Sequence, residues 1–380
     1  MLTCAAPLQG MAQTSSSSQQ SAAKAPQGVV PQPYHVVKTI PLSFNPPPGS
    51  AIAFDSASRR LFIPAKSDIY AVDIDSGALA GQVRKVGDVS DILLAAQINR
   101  GFAVDSYGHL VIFDLQTYAV VTKAHAGEES FFVVFDPTTR RVFTTGVSSK
   151  QCKVFDAMSG KLVKSVKLSG YPLAGVADSA GHVYFQLSQD PIEGPQSLTG
   201  HFHVWGAVAR RKAASKIVEL SAHTLEIESL WTEPSCMNGR GIGIDSASRR
   251  LVVGCENSVD LIDANTGKVI SEAPFIGRPV LRVVFSAALR DTFVLDGLLR
   301  ETMILRETSA NDLAFTGIVA NEAPWYMAFD SAGGEFFILK SDHKMVDTPF
   351  MIELGGQLTP LNRIPESVPG TFRIVVYGRK

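Results

Sequence analysis

Side chains able to do chemistry are sparse along this chain. His201 and His203 stand one residue apart in GHFHVWGAVARRK, and in a strand that spacing turns both imidazoles to one face, where they can chelate a metal. No third ligand is evident beside them, so the stretch reads first as a surface hairpin or lid. Trp205 with Arg210, Arg211 and Lys212 makes a small basic and aromatic patch able to bind a partner or nucleic acid, but a run this short reads first as a solvated face. Asp73-x-Asp75 opens like a calcium loop. Gly77 then comes early, and no acidic residue completes the loop. The chain has no G-x-S-x-G, H-E-x-x-H or P-loop pattern.

What positions these residues is a repeat. In FDSASRRLFIPAKSDIYAVDIDSG (54–77), Asp55 opens one tight turn and Asp73 a second. Asp and Ser suit such turns because their side chains hydrogen-bond the nearby backbone, and Gly accepts positive φ. The first signal returns at Asp136, Asp178, Asp245 and Asp330, with Gln97 and Ser286 standing where two further copies would fall. The second returns at Asp114, Asp156, Ser221 and Asp263. Both series keep a period of about 40 residues and slip by about 25 at the same place, across an insertion at about 189–215. Seven units result. Each reads as four short strands rich in Val, Ile and Phe, which is the signature of a propeller blade. The 31 glycines and 21 prolines, placed at regular turns, argue against a helical solenoid.

The expected fold is therefore all-β: a seven-bladed propeller over 34–380, made of four-stranded antiparallel blades. Residues 34–43 are expected to pair beside 371–378 and close the ring, because a ring must hide its edges. Between Ser341 and Pro369 the last unit loses the pattern and reads as irregular.

Residues 1–33 are read as a disordered tail of low complexity. Gly10-Met11-Ala12 before Gln13 resembles a signal-peptidase site without a full signal peptide ahead of it, which suggests a true start codon further upstream and an exported, periplasmic or secreted protein. No run is long and apolar enough to span a bilayer. A net charge of −1 gives no electrostatic reason to expect nucleic acid or an anionic membrane as partner. A monomer is expected.

The four cysteines lack C-x-x-C spacing, which argues against a cysteine zinc site. Cys236, read in the link before the fifth unit, and Cys255, at the end of that unit's second strand, fall on one face, so a disulfide is expected in an exported protein; two buried thiols are the alternative. Cys152 reads as a lone buried thiol. The pairs Arg59-Arg60, Arg140-Arg141 and Arg249-Arg250 look like an electropositive ring, but their place beside turns favours capping and neutralising the local aspartates.

The repeat form, best seen in RRLVVGCENSVDLIDANTGKVI (249–270) and VPGTFRIVVYGR (368–379), resembles the YVTN-repeat propellers of the YncE-like group over about 34–380. The resemblance implies the fold and says little of function.

Both turn signals lie on one face of such a ring. The other carries the second-to-third-strand loops and the links between blades, and ligand sites usually gather there, around the channel mouth. That face is expected to hold Asp88, Asp91, Glu129, Tyr171 and Glu322, with Glu128, Arg240, Glu256, Asn257, Arg278 and Trp325 as the candidate ligand-binding set. The expected function is a non-catalytic binding or scaffold module that presents loops to a protein or small ligand, with no cofactor. The alternative resembles the propeller lactonases, with calcium or zinc at the channel mouth polarising a carbonyl and activating water. It needs donors such as Glu128, Glu256, Asn257 and Asp296 to converge from different blades.

Overall fold

The repeated turn fixes the geometry of each blade. In the first, the Asp55 carboxylate accepts the Ala57 N–H at 3.1 Å and the Ser58 hydroxyl at 2.5 Å, and Arg59 sits at φ +52°. The chain reverses there, so that Arg60–Ala65 pairs antiparallel with Ala53–Asp55. Asp68–Asp73 and Leu79–Val83 complete the sheet. At the second turn, Asp73 accepts both the backbone N–H and the hydroxyl of Ser76 at 2.7 Å. Gly77 closes this turn at φ +75°, where a Cβ would come within 3.1 Å of Ile40 Cγ2, so conformation and space both call for glycine.

The computed structural model describes residues 31–47, 49–127, 130–146, 148–189, 214–237, 239, 241–256, 258–274, 280–296, 302–308, 311–319, 326–330, 332–347, 351–354, 357–360 and 363–379. They form seven four-stranded antiparallel sheets, the blades of a β-propeller. Blade one is the sheet above. Blade two runs from Val89 to His125, blade three from Ser130 to Lys167 and blade four from Tyr171 to Met237. Blade five runs from Ile242 to Pro274 and blade six from Val280 to Val319. Blade seven takes Met327–Phe329, Phe336–Lys340 and Arg373–Arg379, and its outermost strand is the N-terminal Tyr34–Pro41. Among the described residues no helix is long and apolar enough to cross a membrane.

The closure follows the expected pairing, Tyr34 opposite Arg379 and Pro41 opposite Arg373. Tyr34 also ties the closing strand to blade six: its hydroxyl donates to Asp291 at 2.6 Å, and its ring packs against Phe293 and Phe336.

Second strands such as Arg60–Ala65 and Arg141–Gly146 are buried almost throughout, without alternation, because each blade is covered on both faces by its neighbours. The apolar core is accordingly divided into seven clusters, one per junction. Phe143 and Val154 of blade three meet Phe185 and Val218 of blade four. Leu61 and Ile63 of blade one meet Phe337 and Ile374 of blade seven.

The arginine pairs do more than neutralise their own turns. The first arginine reaches back. Arg59 donates to Asp330 and Glu335 of blade seven, each at 3.1 Å. Arg249 donates to Asp178 of blade four, and Arg290 of blade six lies 3.1 Å from Asp245 of blade five. The second reaches forward to the next blade's third-to-fourth-strand turn: Arg60 to the Tyr118 hydroxyl at 2.7 Å, Arg141 to the carbonyls of Ala222 and His223, and Arg250 to Glu307 and Asn311. Where the repeat drifts, the clasp is missing. Gln97 replaces the aspartate that Arg140 would meet, and at the junction of blades six and seven Gly334 stands in the arginine's place and Ser286 in the aspartate's.

Blade seven departs from the irregular stretch expected between Ser341 and Pro369. The chain leaves its second strand as a ribbon, with His343–Asp347 antiparallel to Arg363–Ser367 and Met351–Leu354 to Gln357–Pro360. Prolines and glycines hid it, but a two-stranded ribbon tolerates them at its edges. Its base is closed by the Val368 N–H donating to the Asp342 carbonyl at 2.8 Å.

Candidate functional site

The second-to-third-strand loops of all blades open on the face opposite the aspartate turns, and both long excursions of the chain belong to it. The ribbon of blade seven lies between that blade's second and third strands. Residues 190–213 lie between the second and third strands of blade four, His182–Ser188 and Ala214–Ser221. The third strand resumes at Ala214, just inside the insertion expected at 189–215. Blades four and seven stand three places apart in a ring of seven.

Of the six residues expected to bind a ligand, Glu256 is described. It is half-buried and follows Cys255, with its N–H donating to the Met237 carbonyl at 2.8 Å. Glu128, Arg240, Asn257, Arg278 and Trp325 lie outside the described residues, as do Glu129, Glu322, His201, His203, Trp205, Arg210, Arg211 and Lys212. Asp296 ends a strand of blade six, and its side chain also lies outside them. Asp88 accepts the Ser106 hydroxyl at 3.2 Å, and Tyr171 carries the Lys150 ammonium 4.7 Å from its ring centroid.

Asp91 leads to a cluster that link composition alone does not reveal. It is buried on the inner strand of blade two and accepts the Val133 N–H of blade three at 3.1 Å. The Arg282 guanidinium of blade six lies 3.8 Å from its other oxygen. Arg282 also stands 4.4 Å from the centroid of Tyr326, whose hydroxyl donates to the Ser90 carbonyl at 3.0 Å. Groups from blades two, three, six and seven thus meet across the inner strands. Burial raises the Asp91 carboxyl above its ordinary range, and Arg282 opposes that rise. Burial, and next the Asp91 charge, push the Tyr326 phenol up to about 12, so it stays protonated and can donate. An acceptor, a cation and a phenol side by side can engage a small polar ligand. Arg282 and Tyr326 carry no local sequence signal, because blades two and six, three places apart in the ring, bring their inner strands together only when the ring closes.

Cys236 and Cys255 form a disulfide. Cys236 lies within the last strand of blade four, Ile227–Met237, and not in a link, so the bridge staples blade four to blade five. Around it lie the buried carboxylates Asp260 and Glu233. Burial raises both, Asp260 to about 6, and the Asp260 charge adds to the rise at Glu233. Cys152 is a free, buried thiol, and burial pushes it up.

No family model matches the chain. No curated protein matches it either. Solved structures do. U3-55K is similar at a TM-score of 0.64 and 11% identity, covering 89% of this chain and 98% of that one. The WD40 repeats of RRP9 give 0.63 and 11%, with coverage of 89% and 96%. A chain of the Kuenenia stuttgartiensis hydrazine synthase gives 0.63 and 11%, with coverage of 78% and 94%. At that identity the likeness is one of fold.

Proposed function

We propose that this chain is an exported, non-catalytic binding propeller of the YVTN-repeat, YncE-like kind, which holds a partner on the face opposite its aspartate turns. The observation that carries this reading is that both long excursions, from blades four and seven, depart from that one face. A rigid ring with elaborated loops on one side is suited to presenting a surface, since loops held by a stiff scaffold are where binding residues gather. The Asp91, Arg282 and Tyr326 cluster supports a small polar group as part of what is held. The Cys236–Cys255 disulfide supports an oxidising compartment, periplasmic or extracellular.

The test replaces residues 344–366 by a short Gly-Ser turn, using the closed base at Asp342 and Val368. The variant is expected to keep the melting temperature of the ring within a few degrees and to lose cross-linked adducts formed in the native exported fraction. Retention of every adduct by a folded, shortened variant would reject the ribbon as part of the binding face.

A further inference from the structure

On the opposite side of the molecule, where the aspartate turns lie, blade four gathers His182 from its second strand, Glu219 from its third and Glu228 from its fourth. One ligand atom from each lies within 4.8 Å of the other two. The histidine is oriented for coordination. Asp178 accepts from His182 Nδ1 at 2.8 Å, and its other oxygen accepts the His182 backbone N–H at 3.0 Å. Nδ1 therefore carries the proton, which leaves the Nε2 lone pair exposed toward Glu228 Oε2, 3.8 Å away. A carboxylate behind a histidine in this way fixes the tautomer and raises the basicity of the ligating nitrogen, as in carboxylate–histidine–zinc arrangements.

Glu219 is prepared in the same sense. Its Oε1 accepts the Tyr184 hydroxyl at 2.8 Å and lies 3.7 Å from Arg249, which holds the carboxylate in place and leaves Oε2 for another ligand. The charges also fit. Arg249 pairs with Asp178 and Glu219, and Glu228 stands beside His182, so one guanidinium is set against three carboxylates and two negative charges are left, which one divalent cation would neutralise.

We propose that His182 Nε2, Glu219 and Glu228 form a binding site for a divalent transition cation of the zinc class. An imidazole with two carboxylates favours zinc over the all-oxygen shells of calcium and magnesium. Metal–ligand distances of about 2.0–2.2 Å place ligand atoms roughly 3.4 Å apart, so a small rotation of the exposed Glu228 closes the set. Water would fill the remaining positions. The cation would tie together the second, third and fourth strands of blade four at their aspartate-turn ends.

The probe is zinc alone, titrated calorimetrically into the untagged full chain after chelator treatment and dialysis, with melting temperature followed in parallel. The wild type is expected to take up one zinc per chain and to melt at a higher temperature with it. His182→Ala is expected to abolish uptake, and Glu228→Gln to weaken it at least tenfold. Glu228 is exposed, and among the described residues its ion pair is with His182, so Glu228→Gln keeps the fold even if His182→Ala does not. No uptake by the wild type would overturn the proposal. So would uptake unchanged in Glu228→Gln, or uptake that follows a His201→Ala/His203→Ala double variant instead.

Discussion

Arg59 of blade one donates to Asp330 of blade seven at 3.1 Å, across the junction where the two ends of the propeller meet. Asp330 is 2% exposed, and the same guanidinium also holds Glu335 and Asp75. The clasp follows directly from the turn: the left-handed residue that closes it points its side chain back at the previous blade's turn aspartate.

Arg59→Ala leaves the buried Asp330 without its cation. A loss of about 1–3 kcal/mol in unfolding free energy is expected, measured by urea denaturation, because an orphaned buried charge costs its desolvation. Arg140→Ala is the control. Arg140 has the same backbone conformation and place in the repeat, but it is exposed and makes no ion pair among the described residues, since Gln97 stands where its aspartate would be. Its removal is expected to change stability by less than about 0.5 kcal/mol. Equal losses at the two positions would mean that the clasp contributes nothing beyond the turn.

Tyr34→Phe keeps the ring packing of the closing strand and removes the hydrogen bond to Asp291. Arg306 still pairs with that carboxylate at 2.5 Å, so the expected cost is about 1–2 kcal/mol rather than a collapse. Deleting 31–41 removes the whole strand and is expected to abolish cooperative unfolding. Near-ultraviolet circular dichroism or calorimetric melting separates the two cases.

These two contacts show how much of the fold is legible from sequence. The turns are, because Asp, Ser and Gly are selected by local backbone chemistry and recur with the period. The closure is, because both chain ends read as strands and a ring cannot leave them unpaired. The direction of the arginines is not: Arg59 and Arg60 are adjacent, and only the packed ring sends one back and the other forward. The ribbon of blade seven is hidden by its prolines and glycines. The zinc-class cluster is hidden for another reason, since His182, Glu219 and Glu228 become neighbours through register across an insertion that the sequence does not bridge.

Breaking the Cys236–Cys255 bridge, by reduction or as Cys236→Ser/Cys255→Ser, is expected to cost about 3 kcal/mol, the value for a closed loop of this order of length. The loss is expected at the junction of blades four and five. Hydrogen exchange in Ile242–Asp245 and Arg250–Gly254 is therefore the readout, with blades one and two unaffected.

Asp260 gives the junction a pH dependence of defined sign. Its folded-state value near 6 is above its ordinary 3.8. Below pH 4 both folded and unfolded chains hold the proton. Between about pH 4 and 6 the unfolded chain ionises first, so stability falls as pH rises, by about 3 kcal/mol for a shift of two units. Asp260→Asn is expected to remove that fall. The readout is the difference between variant and wild type, because Asp73 and Asp156, held below the usual carboxylate range by the hydroxyls of Ser76 and Ser159, act in the opposite direction.

The central claim is that one face of this ring binds and the other holds it together. The direct test is a photo-cross-linking amino acid placed at Met345, which is 49% exposed on the ribbon, or at Met158, which is 38% exposed on the aspartate-turn face of blade three. Each variant is irradiated in the exported fraction of the native cell. The account predicts a discrete adduct from position 345 and none from position 158. An adduct from position 158 with none from position 345, or none from either, would contradict it.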